Sequence, residues 1–121
     1  MNDALNAIHD YYRAFSTLEL DACAPFFSLP CMFISPQGTR AVANHEDLVR
    51  VLASVIDPLR TKDYQRSEFV EAQLTSVTAN AVLVRGMAVR YRKSGEELER
   101  VPLSYLMQQT GTAWKISVLV A

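Results

Sequence analysis

The chain has 121 residues, half of them hydrophobic and 21% charged, which is typical of one globular domain and excludes a disordered or fibrous protein. Twelve basic and 13 acidic residues are interleaved and leave a formal net charge of −1, which argues against nucleic-acid or anionic-membrane binding. The apolar runs are too short to cross a bilayer, and Met1-Asn2-Asp3 does not begin a secretory signal. We therefore expect a single cytoplasmic domain over residues 1–121.

The first elements in the chain are predicted to be helices. A helical stripe of apolar side chains is formed by Leu5, Ile8, Tyr12 and Phe15. This spacing predicts a first helix over about residues 2–15. A second, short helix is predicted over residues 21–27, with Asp21 near its positive N-terminal end.

A short strand is predicted next. The apolar run 31–34 lies between Pro30, which is expected to end the preceding helical unit, and Pro36. Because prolines flank the run and Gln37-Gly38 is a turn signal, we expect an edge strand here.

The third helix has the strongest sequence pattern. Asn44 is a suitable N-cap, Glu46 and Asp47 favour the first turn, and Pro58 limits the end. The apolar stripe consists of Leu48, Leu52, Val55 and Leu59. These features together predict one long amphipathic helix.

The second half of the chain is predicted to form strands joined by hairpin turns. The predicted strands cover residues 64–74, 80–93, 97–109 and 113–120. The clearest turns are at residues 93–96 and 110–112. Helices followed by consecutive hairpins predict an α+β fold with three N-terminal helices packed into a curved, mainly antiparallel sheet.

These strands carry apolar residues on both faces. In the strand 80–93, Leu83 and Met87 fall on one face while Val82, Val84 and Ala88 fall on the other. Three helices can cover only one side of such a sheet, so something else must cover the other. We expect a homodimer formed through the outer sheet face, because two-fold symmetry is the commonest closed arrangement.

Several short motifs occur in the order found in one superfamily. They are Tyr11-Tyr12-Arg13-Ala14-Phe15, Leu20-Asp21, Phe26-Phe27, Ser35-Pro36-Gln37-Gly38 and Gly111-Thr112-Ala113-Trp114-Lys115-Ile116. Over essentially the whole chain, this order resembles the nuclear transport factor 2-like (NTF2-like) superfamily. The resemblance implies a cone-shaped fold in which the third helix and a bent sheet enclose a pocket. Relatives include SnoaL-like cyclases, ketosteroid isomerases, epoxide hydrolases, dehydratases and non-catalytic proteins, and a shared fold does not choose among them.

The resemblance also suggests which residues to test for catalysis. The tyrosine of the ketosteroid isomerases corresponds to Tyr11, but their two aspartates fall on Ser35 and Ser104. Serine cannot act as the carboxylate base, which argues against that isomerase reaction. The Arg and Asp two residues apart in the epoxide hydrolases are also missing, since Met87 follows Arg85 at that spacing.

The candidate site follows from these comparisons. The candidate catalytic residues are Tyr11, Arg85, Ser35 and Ser104. The candidate ligand-binding residues are Tyr11, Phe15, Phe27, Phe33, Leu52, Met87 and Ser104. Cys23 and Cys31 are expected to be buried hydrophobes, and His9 and His45 lack the partners of a metal site, so neither metal nor cofactor is expected.

Three functions remain open at this stage. The first is a dimeric pocket protein that binds a small apolar or aromatic metabolite. The second is a SnoaL-like cyclase, dehydratase or isomerase that uses Tyr11 with an unidentified base. The third is a non-catalytic protein-interaction module. A carboxylate or histidine close to the Tyr11 hydroxyl would distinguish the second from the first.

Overall fold

The computed structural model describes residues 3–121. The helices are α1 (Asp3–Ser16), α2 (Leu20–Cys23) and α3 (His45–Ile56). Short 3-10 turns cover Ala24–Phe26 and Asp57–Thr61. The strands are β1 (Phe27–Ser35), β2 (Gly38–Val42), β3 (Tyr64–Thr78), β4 (Ala81–Arg92), β5 (Glu97–Thr110) and β6 (Ala113–Val120).

The helices form for the reasons that the sequence suggested. In α1 the buried side chains are Ala4, Ile8, Tyr11, Tyr12 and Phe15. The predicted start at Asn2 lies outside the described residues. In α3 the side chain of Asn44 accepts a hydrogen bond from the Asp47 backbone N–H at 2.9 Å, which confirms the predicted cap.

The end of α3 differs from the prediction. The helix stops at Ile56, and Leu59 is buried on the 3-10 turn that follows. Val55 does not join the buried stripe but is 40% exposed. The tighter turn that carries Pro58 accounts for the end of the helix and for the position of Leu59, whereas the buried stripe of α3 runs through Leu48, Val51, Leu52 and Ile56.

The region around the first strand was predicted incorrectly. The second helix is shorter than expected, because Phe27 already belongs to β1. Strand β1 continues through Pro30 and lies between β2 and β6, so it is not an edge strand. The pairing between β1 and β6 shifts register between Phe27 and Met32, and Pro30 falls in this irregular stretch, where its missing N–H is tolerated.

The six strands form one curved, unclosed sheet in the order β2-β1-β6-β5-β4-β3. All neighbours are antiparallel except β1 and β6, which are parallel. Register shifts interrupt several pairs, including one in β3 between Val70 and Gln73. Such irregularities increase strand twist and bending. The α+β fold with a mainly antiparallel curved sheet is therefore confirmed.

The two faces of the sheet have different surroundings. On the inner face, Val84, Tyr105 and Ile116 are 0–1% exposed and join the core formed with the helices. Gly86 also belongs to this face, because a Cβ added there would lie 2.5 Å from Cζ of the Phe69 ring. The side chains between these inner positions point to the outer face, and no helix packs on that face among residues 3–121.

Candidate functional site

The inner face of the sheet and the helices enclose a cavity of about 120 Å³. Its apolar and small lining residues come from α1, α3 and four strands, and they are Phe15, Phe33, Leu52, Val55, Ala88, Val101, Leu103, Leu119 and Ala121. Its polar lining residues are Tyr11, Tyr12, Ser67, Arg90 and Tyr105. Val55 and Ala121 are exposed, so they mark the mouth.

Three buried tyrosines form one cluster at the inner end of the cavity. The hydroxyls of Tyr12 and Tyr105 are hydrogen-bonded to each other at 2.7 Å. The ring of Tyr11 packs edge-on against both, with centroids 5.7 and 6.3 Å away. The Tyr11 hydroxyl has no hydrogen-bond partner among the residues that the structure describes. Tyr11 is therefore the tyrosine of this cluster whose hydroxyl remains available to a ligand.

Burial controls the protonation of this cluster. Burial raises the pKa of Tyr11 and of Tyr105 well above the usual tyrosine value, and it raises the pKa of Tyr12 as well. The positive charge of Arg90 acts in the opposite direction on the pKa of all three hydroxyls. At neutral pH the three hydroxyls are therefore uncharged hydrogen-bond donors.

Arg90 brings a charge into this apolar space. Its side chain is 12% exposed, and Nη1 donates to the carboxylate of Glu99, whose side chain is 34% exposed. The guanidinium carbon lies 5.7 Å from the centroid of the Phe15 ring. The Nε–H is shielded from solvent and has no acceptor among residues 3–121. Arg90 is the only charged residue in the described cavity lining.

Ser67 completes the polar part of the lining. Its hydroxyl is hydrogen-bonded to the hydroxyl of Tyr64 at 2.7 Å. Its backbone N–H donates to the Ser16 hydroxyl at 2.9 Å, which ties α1 to the edge strand β3. Because these groups already have partners, Ser67 holds the wall together and is a weaker site for a ligand than Tyr11.

Only some of the predicted site residues come together. Tyr11, Phe15, Phe33 and Leu52 all line the cavity. Phe27 lies directly behind the cavity wall, because its ring stacks on Phe33 and meets Tyr11 edge-on. These five residues therefore lie at or directly behind the cavity, and their role in ligand binding stays a prediction.

The other predicted site residues lie elsewhere. Arg85, Met87 and Ser104 line a groove on the outer sheet face, where Arg85 donates to Gln73 at 3.1 Å. Ser35 lies in an open groove beside the cavity mouth, hydrogen-bonded to Gln37. The structure therefore does not place Ser35 or Ser104 with Tyr11. The reason is strand alternation, since Ser104 and Tyr105 are neighbours on β5 and must point to opposite faces.

Sequence reasoning missed Arg90 and the pairing of the Tyr12 and Tyr105 hydroxyls. Arg90 continues the inner series Val82, Val84 and Ala88 at the same period-two spacing, so the signal was present. Tyr105 is 1% exposed within a single chain and belongs to the core.

The remaining candidates are accounted for by burial or exposure. Cys23 and Cys31 are free and buried, and burial raises the pKa of each thiol to about 11, which disfavours a reactive thiolate. His45 is exposed, and His9 lies in a surface groove between α1 and β3. No group of metal-ligating side chains occurs among residues 3–121. No helix in that range is long and apolar enough to cross a membrane.

Helices packed on the concave face of a curved six-stranded sheet, with a pocket between them, define the class of NTF2-like proteins. The chain belongs to the family described as NTF2-like protein (DUF6841), whose model matches residues 2–121. No protein of curated function matches the sequence.

Solved structures of the same fold agree with this assignment. A protein of unknown function with a cystatin-like fold from Nostoc punctiforme is 7% identical, with a TM-score of 0.78 over 98% of this chain and 86% of that one. An NTF2-like protein of unknown function from Shewanella oneidensis is 16% identical, with a TM-score of 0.73 over 98% and 94%. A ketosteroid isomerase-like protein from Erwinia carotovora atroseptica is 17% identical, with a TM-score of 0.68 over 98% and 91%. At these identities the similarity shows the fold alone.

Proposed function

We propose that this chain is a small-molecule-binding protein whose cavity takes a small apolar or aromatic metabolite. The observation that carries the proposal is the cavity itself, in which apolar walls surround the Tyr11 hydroxyl, a donor without a partner among the described residues. Binding sites for small molecules combine mainly apolar walls with a few polar groups that orient the ligand. This cavity has that composition.

The size of the cavity limits the ligand. At about 120 Å³ it is well below the roughly 300–1,000 Å³ of drug-sized pockets. An apolar cavity of roughly 150 Å³ in another protein binds benzene. The ligand that fits without rearrangement therefore has a single ring or a comparable branched carbon skeleton.

The lining favours binding over base-catalysed chemistry. It contains no Asp, Glu or His among the residues that the structure describes. A cyclase, dehydratase or isomerase using Tyr11 would need such a base to accept a proton. Because burial raises the Tyr11 pKa, its hydroxyl serves as a neutral donor to a ligand oxygen.

Binding can be tested with single-ring probes and a matched pair of variants. Phenol, benzyl alcohol and benzoate are titrated into the protein and followed by thermal shift and ligand-observed NMR. Ala88→Leu adds bulk inside the cavity, whereas Ala81→Leu adds the same bulk on the outer face of the same strand. We expect the wild type and Ala81→Leu to bind at least one probe and Ala88→Leu to lose it. The proposal fails if no probe binds or if Ala88→Leu binds as well as wild type.

We also propose that the outer sheet face forms a homodimer. Its apolar part, which we call the outer patch, consists of Met32, Leu83, Met87, Pro102, Leu106, Val118 and Val120. Met32 and Val120 are 37% and 36% exposed, which is unfavourable for neighbouring apolar side chains in water. A second copy of the same patch would remove this surface from water. A protein partner on this patch is the interaction-module alternative.

Sedimentation velocity distinguishes these arrangements. We expect the wild type to sediment as a dimer at micromolar concentration. Leu106→Lys, which places one charge in the outer patch of each copy, should sediment as a folded monomer. Val77→Lys is the control, since Val77 is 59% exposed near the end of the β3–β4 hairpin, outside the outer patch. A monomeric wild type contradicts the dimer.

The cytoplasmic location stays a prediction from the sequence.

A further inference from the structure

The guanidinium of Arg90 has an unused edge for hydrogen bonding. Its one hydrogen bond to the described residues runs from Nη1 to Glu99, and the Nε–H has no acceptor there. A buried donor left without a partner is unfavourable, so a ligand that supplies an acceptor there gains affinity. The Nε–Nη2 edge of arginine is a planar fork that matches the two oxygens of a carboxylate. The Nε–Nη2 edge of Arg90, which Glu99 does not contact, is therefore left for the carboxylate of a ligand.

Glu99 lies close enough to solvent to move away from Arg90 when a ligand binds. Its side chain is 34% exposed, whereas that of Arg90 is 12% exposed. Glu99 regains hydration when it moves toward water, and a ligand carboxylate can take its place beside the guanidinium, so the buried positive charge keeps a partner. Arg90 can then turn its Nε–Nη2 edge toward the cavity without leaving Glu99 desolvated.

The charge of the residues that line the cavity determines which charge a ligand should carry. Arg90 is the one charged lining residue among those that the structure describes, and the other polar groups are neutral donors or acceptors. The Tyr11 hydroxyl is a second donor without a partner in the described chain. Once Glu99 has moved toward water, two donors and one positive charge in an apolar cavity favour an anion with a small apolar body.

We propose, building on the binding role above, that the ligand is a small monocarboxylate with one aromatic ring or a branched carbon skeleton. Its carboxylate binds the Arg90 guanidinium and accepts a hydrogen bond from Tyr11. Its apolar body packs among Phe15, Leu52 and Leu103. Binding exchanges the Arg90–Glu99 ion pair for a more deeply buried pair between Arg90 and the ligand.

The test compares benzoate with benzyl alcohol, which has the same ring but no charge, by calorimetry at neutral pH. We expect benzoate to bind at least about tenfold more tightly than benzyl alcohol. Arg90→Met should weaken benzoate by about tenfold or more while changing benzyl alcohol little. Arg85→Met is the matched control, because Arg85 lies on the same strand but faces outward. It should bind both probes like wild type.

Two further variants keep the test independent of folding. Glu99→Gln removes the competing carboxylate, so benzoate should bind more tightly than to wild type. Arg90→Met with Glu99→Gln removes both charges of the pair, so loss of benzoate binding there cannot be attributed to a stranded Glu99. If benzyl alcohol and benzoate bind equally, or Arg90→Met retains benzoate, the carboxylate proposal is overturned while the binding role stands. If neither probe binds, the binding role itself is overturned.

Discussion

Arg85 and Arg90 lie five residues apart on β4, and their surroundings show how the two faces of the sheet differ. Arg85 points outward, is exposed and donates to Gln73 at 3.1 Å. Arg90 points inward, is 12% exposed, and is held between Glu99 and the Phe15 ring. An odd spacing on a strand places two residues on opposite faces. The same residue type is therefore a surface group at one position and part of a buried site at the other.

The outer face is itself divided into two parts. At one end charged side chains pair with one another, within a strand in the contacts of Arg66 with Glu68 and of Arg100 with Glu97, both at 2.9 Å, and between strands in that of Arg100 with Glu71 at 3.5 Å. Val89, between Glu68 and Arg100 in the register, is only 1% exposed, because long charged side chains can cover apolar surface with their stems. The other end is the outer patch, which such residues do not cover. This contrast explains why a dimer contact is proposed there.

The largest expected difference between the faces is the cost of removing the same atoms from each. Val84→Ala removes two methyl groups from a fully buried inner position, and we expect a loss of about 2–3 kcal/mol in the free energy of unfolding. Val118→Ala, on the half-buried outer face, should cost less than about 1 kcal/mol. Urea unfolding at two protein concentrations measures both and separates any contribution from self-association. Equal costs would contradict the assignment of the faces.

The next effect concerns the inner face at Gly86. A Cβ there would lie 2.5 Å from the Phe69 ring and 2.8 Å from the Val70 carbonyl oxygen. We expect Gly86→Ala to destabilise the protein by about 1–3 kcal/mol, because the core must shift to admit one methyl group. In the background of Phe69→Ala the same substitution should cost clearly less, since the ring is gone. Denaturant titration of wild type, the two single variants and the double variant measures these costs. If the cost of Gly86→Ala is the same with and without the Phe69 ring, the ring is not the obstacle.

The hydroxyl pair behind the cavity should give a smaller effect. Tyr105→Phe leaves the Tyr12 hydroxyl buried without its partner at 2.7 Å, so we expect a loss of about 1–2 kcal/mol in the free energy of unfolding. Removing both hydroxyls should cost no more than removing one, because no buried donor is then left alone. If the double variant shows the sum of two independent losses, each hydroxyl has another partner.

The smallest effect is the dependence of stability on alkaline pH. Burial raises the pKa of Cys23 and Cys31 from 9.0 to about 11, so above pH 9 the unfolded chain releases protons that the folded chain retains. Stability is therefore fully present below pH 9 and falls as pH rises toward 11. We expect the two thiols together to cost roughly 0.7 kcal/mol between pH 8 and pH 9, before the buried tyrosines begin to contribute. Replacing both cysteines by alanine should flatten this slope, and an unchanged slope would contradict their role.

Much of the architecture was predictable because it depends on local pattern. The α3 cap at Asn44 and the bounds of β4, β5 and β6 follow from capping preferences, alternation and turn residues, and the structure reproduces them closely. The pattern failed around Pro30, since proline in a strand is usually a boundary and only the irregular β1–β6 pairing makes it acceptable. Strand β2 had no strong pattern, because four of its five residues are exposed.

The site was less predictable than the fold. Tyr11, Phe15, Phe33 and Leu52 were found from the family resemblance and apolar spacing. Arg85, Met87 and Ser104 were placed with them although they face outward, because both faces of these strands carry apolar residues and pattern alone does not say which face is inside.

By itself, the sequence determined where most of the helices and strands form and which of their side chains share a face, because these follow from local propensity and a fixed period along the chain. Only the tertiary structure decided which face the helices cover, and thereby that Tyr11, Arg90 and Tyr105 meet around one cavity while Arg85 meets water. The physical reason is that these residues lie far apart in sequence. Their proximity depends on strand register, sheet curvature and helix packing, which are set by burial over the whole chain.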